Sequence, residues 1–195
     1  SLKTKSDRER YEYLAQEMAM VFSKISARFE SDYIFCWLDW DGDNILANGG
    51  IIDYGSIRQF GLYHWEYRYD DVERFSTKIP EQKAKARYIV QTFAQIRDYL
   101  VTGKKRNIHR YRNDPALKLF DQNFQRTLHE ALLYKIGFNS DQRDFLLKYH
   151  FSDVSEFRKH FNYFEKAKSS RGIYTTSDGI TCDAIFSMRD ALREL

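Results

Sequence analysis

Apolar residues recur at helical spacing along most of this chain, and the interruptions mark where other structure begins. Leu14, Met18, Val21, Phe22, Ile25 and Phe29 fall three and four residues apart behind the charged run Asp7 to Glu9, which predicts an amphipathic helix. Pro80 opens a second helix, because its fixed φ suits a first turn. Ile89, Phe93, Ile96 and Leu100 are its expected buried stripe, and Gly103 is placed to end it. Asp114 followed by Pro115 predicts an N-cap and a third helix with Leu117, Phe120, Phe124, Leu128, Leu132 and Ile136, stopped by Gly137. Ser140 is the expected cap of a fourth helix carrying Phe145, Leu146 and Tyr149, and Ser152 or Asp153 starts a fifth with Phe157, Phe161 and Phe164. From about Ser169 the pattern turns polar, through "SSRG" and "TTSDG", before a short last helix with Ile185, Met188 and Leu192.

Between the first two helices the period changes. "NILA" (44–47) and "IIDY" (51–54) read as the strands of a hairpin around Asn48-Gly49, since both turn positions favour positive φ. Residues 57–79 look irregular and aromatic. Within them Tyr63, Trp65, Tyr67 and Tyr69 alternate with His64, Glu66 and Arg68, the pattern of an extended segment with one aromatic face that packs on the fold or docks a partner. The expected fold is therefore mainly α (α+β), a helical bundle with one short β-hairpin. Residues 1–168 form its domain and 169–195 a polar linker with a C-terminal helix.

Composition narrows the class. The 195 residues, 43% hydrophobic and 16% aromatic, suffice for one folded domain with a sizeable core. With 31 basic and 28 acidic residues the net charge is only +3, which gives no push towards nucleic acid or a membrane surface. The basic run "GKKRNIHRYR" (103–112) invites an acidic partner, but cations just past a helix C-terminus also meet the helix dipole favourably, and no nucleic acid is expected. Cys36 and Cys182 lack the spacing of a disulfide framework or zinc site, and the five histidines show no ligand pairing. No apolar run approaches the ~20 residues of a membrane span and no secretory pattern occurs. The expectation is a soluble, cytoplasmic protein.

The chemistry-bearing stretch is "WLDWDGDNILANGGIIDYGS" (37–56). With Asn48-Gly49 as the two turn residues, Ala47 opposes Gly50, Leu46 opposes Ile51, and Asn44 comes to face Asp53. Directly opposed side chains share a face with Cβ atoms ~4.5–5.5 Å apart, so an amide and a carboxylate would stand side by side. Both are hard oxygen ligands, and magnesium commonly takes one or two of these and completes its shell with water and phosphates. A one-residue slip would separate them. Asp39, Asp41 and Asp43 also have the one-three-five spacing of a calcium loop, but its sixth and twelfth positions hold Asn44 and Gly50 where glycine and glutamate are needed. A glycosidase carboxylate pair and a plain solvated acidic turn remain open. Kinase-like transfer needs an aspartate, a metal asparagine five residues on, and a metal aspartate after a short hairpin. Asp39, Asn44 and Asp53-Tyr54-Gly55 have that order and spacing.

"DNILANGGIIDYG" resembles the corresponding segment of the selenoprotein O family. The likeness extends through "RFSTKIPEQKAKARYIVQTFAQ" and then "LLYKIGF", "DFLLKYH" and "DVSEFRKHF", over roughly residues 20–165. The resemblance implies a protein-kinase-like fold, of which this chain would be the C-lobe. It also implies AMP transfer from magnesium-ATP to hydroxyl groups of protein substrates. On this pattern Asp43 is the base, Asn44 and Asp53 hold Mg2+, and Asp53 also engages ATP. Asp39 stands at the general kinase position, where the family pattern has no acid, so Asp39 and Asp43 both remain candidates for the base. Three further departures are Cys36-Trp37 where the family has His-Gly, an ending of Arg-Glu-Leu without selenocysteine, and no GxGxxG phosphate loop. An N-lobe absent from this chain would supply that loop. The alternatives are a kinase-like phosphotransferase and a non-catalytic, pseudokinase-type binding module.

Overall fold

The first helix, α1 (Asp7–Ser31), begins with a reciprocal cap. Ser6 accepts the Glu9 N–H, and its own N–H donates to the Glu9 carboxylate at 2.8 Å. The structure, a computed structural model, describes residues 6–36, 44, 46, 50, 57–60, 63, 65–68, 76–168, 174–175 and 181–182. Among the described residues the fold is mainly helical, with three two-stranded antiparallel pairings, and no helix is long and apolar enough to cross a membrane.

α1 buries Ala15, Met18, Ala19, Phe22, Ser23, Ser26 and Ala27. Of the expected stripe, Met18 and Phe22 reach full burial, while Leu14, Ile25 and Phe29 pack on its flanks. The small residues let other helices approach closely. Ser26 donates back to the Phe22 carbonyl at 2.7 Å, so its hydroxyl is satisfied in the core. Asn123 crosses from the third helix to the Ser23 hydroxyl at 2.7 Å.

α2 (Ile79–Thr102) and α3 (Pro115–Lys135) both lie along α1 and touch each other much less, so α1 is the central element. The shared core contains Phe22, Val90, Leu117, Phe120 and Phe124, and a side chain of this size contributes about 1.5–3 kcal/mol when fully buried. α3 matches its expected cap and stripe: Asp114 accepts the Ala116 N–H at 2.9 Å, and all the expected positions but one are buried. The exception, Ile136, lies past the last helical residue and is exposed. Gly137 has φ +97, which only glycine adopts without strain.

Of the stripe expected on α2, Ile89 and Phe93 pack partly buried against the core, and the fully buried line lies beside them. Its buried residues are Ile79, Gln82, Ala86, Val90, Gln91 and Ala94, whereas Ile96 and Leu100 are exposed. Alanine and glutamine won the inner face for two physical reasons. Ala86 and Ala94 permit close approach to α1, and the glutamines supply hydrogen bonds that leucine could not. Gln82 donates to the Ile34 carbonyl and Gln91 to the Ile108 carbonyl, each at 2.8 Å, and Gln95 donates to the Arg106 carbonyl. Non-helical backbone is thereby satisfied inside the fold. Gly103 ends α2 as expected, with φ +68.

After α2, the basic run folds into a 3-10 turn (Ile108–Tyr111). Arg106 pairs with Asp98 at 3.2 Å and the Tyr111 hydroxyl donates to the same carboxylate at 2.6 Å, while Lys104, Lys105 and Arg110 stay exposed. Arg97 of α2 ties that helix to two other parts of the fold. It meets Asp114 at 2.6 Å and Glu12 of α1 at 3.1 Å, and the Asp114 side chain is only 6% exposed.

α4 (Ser140–Tyr149) is capped by Asn139 rather than Ser140, through a reciprocal pair with Gln142 at 3.0 Å in each direction. α5 (Phe151–Lys168) starts one or two residues before the expected serine or aspartate. Leu133, Leu147 and Val154 form a second, smaller core here. Phe145 and Tyr149 are exposed, because the contact face of α4 is centred on Leu147, and Phe157 of α5 is exposed as well.

Residues 57–79 are more regular than their composition suggested. β1 (Ile34–Cys36) pairs with β2 (Ile57–Gln59), and β3 (Glu66–Arg68) pairs with β4 (Ser76–Lys78). In the polar stretch after α5, β5 (Tyr174–Thr175) pairs with β6 (Thr181–Cys182). The hairpin strands 44–47 and 51–54, the turn at Asn48-Gly49 and the helix around Ile185, Met188 and Leu192 lie outside the described residues, apart from Asn44 and Leu46.

His129 is 2% exposed on α3 with its edge towards Phe151, and its Nδ1 has no hydrogen-bond partner among the described residues. Burial, reinforced by the Arg158 charge, lowers its pKa to about 4. Between that value and the ordinary ~6.5 the unfolded chain binds a proton that the folded chain does not. Stability should therefore fall as pH drops through this window, by up to roughly 3 kcal/mol, and His129→Leu should flatten that slope in urea unfolding compared at about pH 7 and about pH 5. Asp114→Ala should cost about 3–5 kcal/mol in the same assay, since it strands Arg97 and uncaps α3. Asp114→Asn, which keeps a capping oxygen, should cost less.

Candidate functional site

The acid-rich segment is held by its two ends. Cys36 pairs with Ile57, Phe35 with Arg58 and Ile34 with Gln59, and the ladder extends one step further through the Phe60 N–H to the Tyr33 carbonyl at 3.0 Å. Residues 37–56 thus leave and return at adjacent points on one antiparallel pair. That pair is fastened to the helices. Phe35 is fully buried against Ile79 and Phe60, meeting Phe60 edge to face at 5.7 Å, and Gln82 of α2 holds the Ile34 carbonyl.

Within the segment, Asn44 is half-buried in a turn. The Leu46 N–H donates to the Gly50 carbonyl at 2.8 Å. Asp39, Asp43 and Asp53 lie outside the described residues, so the facing of Asn44 and Asp53 is a statement of the sequence alone. Among the described residues no group of three histidine, cysteine or acidic side chains is arranged to hold a metal. Of the expected ligands of Mg2+ and ATP, the described residues include Asn44, whose amide oxygen has the hard character magnesium prefers.

At the other end of β1 a cavity of about 120 Å3 opens between the last turns of α1 and α3, α5 and the segment before β3. Tyr33 enters it in an unusual way. Its φ is +50, a left-handed conformation that costs an L-residue roughly 1–2 kcal/mol. The bend turns the chain from α1 into β1, and the Tyr33 hydroxyl donates to Glu165 of α5 at 2.6 Å. Burial first, and then that bond, raise the hydroxyl's pKa above the ordinary value, so it stays protonated. Tyr63 meets the Tyr33 ring edge to face at 5.7 Å. Lys135 lies over the same ring at 5.5 Å from its centre, while bonding to the Ser31 carbonyl and to Asp32. Arg158 of α5 pairs with Glu30 of α1 at 3.1 Å.

Trp65 stands at the cavity wall, 45% exposed, with its carbonyl fixed by the Ile79 N–H at 3.1 Å. The alternation of Tyr63 and Trp65 suggested an aromatic face in the sequence. Tyr69 and the side chain of Tyr67 lie outside the described residues. Sequence reasoning missed Tyr33, Lys135, Arg158 and Glu165. They come from three elements up to 132 residues apart, and no local pattern announces them.

Tyr33→Phe should destabilise the protein by about 1–3 kcal/mol, because the Glu165 carboxylate loses a buried donor, and thermal unfolding of the two proteins in parallel measures it. No protein-family model, curated protein or solved structure matches this chain.

Proposed function

We propose that the chain is the C-lobe of a kinase-like nucleotidyltransferase that moves AMP from magnesium-ATP to hydroxyl groups of protein substrates, in the manner of the selenoprotein O family. The observation that supports this reading best is the pinning of residues 37–56 by Cys36 and Ile57. The candidate base and the candidate metal ligands then all fall between two paired positions, next to the buried Phe35. A solvated acidic turn would have no need of such a mounting.

Asp43 would accept the proton of the attacking hydroxyl as its oxygen bonds to the α-phosphorus and the α–β bond breaks, releasing pyrophosphate. Asn44 and Asp53 would hold Mg2+, which when bound neutralises charge on the triphosphate, and Asp53 would orient the nucleotide. Little covalent chemistry falls to the protein, and positioning with charge stabilisation would provide most of the rate. The half-buried setting of Asn44 suits a ligand with limited freedom. The missing phosphate loop is the feature that keeps a non-catalytic binding module as the second reading, because no GxGxxG occurs anywhere in the sequence.

Labelled ATP separates the readings. The protein, in its full natural chain, is incubated with magnesium and ATP carrying label on either the α- or the γ-phosphate. Transfer of α-label to protein is the expected result, and Asp53→Ala should abolish it. Label from the γ-phosphate alone would show phosphoryl transfer, with Asp39 the first base to test, and would overturn AMP transfer. Absence of both labels favours the binding module. Retained transfer by Asp53→Ala would overturn the metal assignment.

A further inference from the structure

We infer that the open face of α4 and α5 is where a second copy of this chain docks, with the two α4 helices antiparallel about a two-fold axis near Phe145. Phe145 and Tyr149 stand one turn apart on α4, 54% and 61% exposed, with their ring centres 5.1 Å apart. Phe145 also meets the His150 ring at 5.7 Å. His150 in turn lines a groove of about 320 Å3 with Leu133, Ile136, Leu146, Val154 and Phe157. Ile136 and Phe157 are themselves exposed, so rings and groove form one apolar surface. Exposed apolar surface that is contiguous, rather than scattered singly, marks an interaction site.

The occupant follows from the chemistry of this surface. A small-molecule pocket needs a few polar groups aimed at its ligand. The two polar residues of the groove, His150 and Asp153, are bonded to each other at 3.1 Å, so the lining suits apolar side chains of another polypeptide. A two-fold interface requires one surface to carry both halves of every contact. This surface does so in shape, because an exposed ring stands on the rim of the groove. Near the axis the two Phe145 rings lie side by side, each at the mouth of the other's groove. It does so in charge as well. Asp141 lies one turn before Phe145 on the same face of α4 and Lys148 and Tyr149 one turn after, all exposed. The Lys148 ammonium lies over the Tyr149 ring at 5.0 Å, at the edge of the apolar surface. In antiparallel helices, residues equally far on either side of the axis face each other. Asp141 therefore comes against the partner's Tyr149 and beside the partner's Lys148, and the same contacts repeat across the axis. The helix dipoles are then opposed as well. A parallel pairing would set Asp141 against Asp141 and Lys148 against Lys148, and like charges in contact oppose it. No residue of the acid-rich loop takes part, so the inference does not rest on the transfer reaction proposed above.

Sedimentation velocity of the full natural chain, from low to high micromolar concentration, tests the inference. The wild type should pass from monomer to dimer over this range. Phe145→Glu sets a charge at the axis and should raise the dissociation constant about ten-fold or more. Asp141→Lys and Lys148→Asp should each weaken the dimer several-fold, because each meets a like charge across the axis. The double variant, with both charges exchanged, should recover most of the wild-type affinity. All three positions are exposed, and an unchanged thermal midpoint at monomeric concentration establishes that each variant is folded. If Phe145→Glu does not fold, Tyr149→Ser and the charge exchange decide the question. A wild type that stays monomeric throughout would overturn the inference and leave the surface to another protein or to a further segment of this chain. A dimer untouched by Phe145→Glu would overturn it by placing the contact elsewhere. A double exchange no tighter than the single reversals would overturn the antiparallel register, and an assembly that grows past the dimer would overturn the closed two-fold.

Discussion

One carboxylate, that of Asp114, sets the relation among the three helices on which everything else is mounted. It caps the first turn of α3 and receives the guanidinium of Arg97 from α2, and Arg97 reaches on to Glu12 of α1. A buried ion pair is not by itself stabilising, because desolvation offsets the attraction. Its value here lies in geometry. Both oxygens of Asp114 face Arg97 and one of them also receives a helix N–H, so sliding or rotating any of the three helices breaks a bond inside the fold. The phenylalanine core packs the three helices together, and the fork adds directional bonds that hold their alignment. The alignment is felt far away. α3 runs from Pro115 to Lys135, about 30 Å at 1.5 Å per residue, so the alignment fixed at its start determines where Lys135 meets Tyr33.

The second determinant is a row of glutamines. Gln82, Gln91 and Gln95 sit along α2 and donate to the carbonyls of Ile34, Ile108 and Arg106. Each carbonyl belongs to backbone that has left regular helix, and each needs a donor if it is to be covered. The same row explains how β1, a strand of three residues with a single paired neighbour, holds its place. So short a ladder is marginal on its own. It is held from outside by Gln82, by the fully buried Phe35 and by the packing of Phe60.

The five described α-helices were legible, because apolar spacing, Pro80, Asp114 and the two positive-φ glycines all act locally. Helix faces were legible only where size and burial coincide, as on α3. On α2 they do not coincide. Glutamine reads as a surface residue and alanine as neutral, yet both outrank Ile96 and Leu100 for the inner face, since close approach and donor supply are tertiary requirements. The strands at 34–36 and 57–59 were not visible at all, being three residues long and stabilised by partners across the fold. For the candidate site the residue types of the acid-rich loop were legible, and its anchoring was not. Tyr33 shows the limit most plainly. Nothing local marks a tyrosine for a left-handed turn that glycine would adopt freely, and the compensating bond comes from Glu165 at the far end of the described helices.

β1 joins the two regions of functional interest and also separates them. The cavity lies at its Tyr33 end and the acid-rich loop leaves at its Cys36 end, roughly 10 Å apart at ~3.3 Å per residue. Between them stand Phe35, with no exposure, and the Gln82 bond, which leave the strand little freedom to shift. Coupling between two sites needs an intervening element with two accessible arrangements. A strand wedged by a fully buried aromatic ring has one. Trp65 lies on the cavity side of that strand, half-exposed, with its carbonyl accepting the Ile79 N–H at the start of α2. The strand is therefore a poor conduit between the two regions, and each can be altered by substitution without the other.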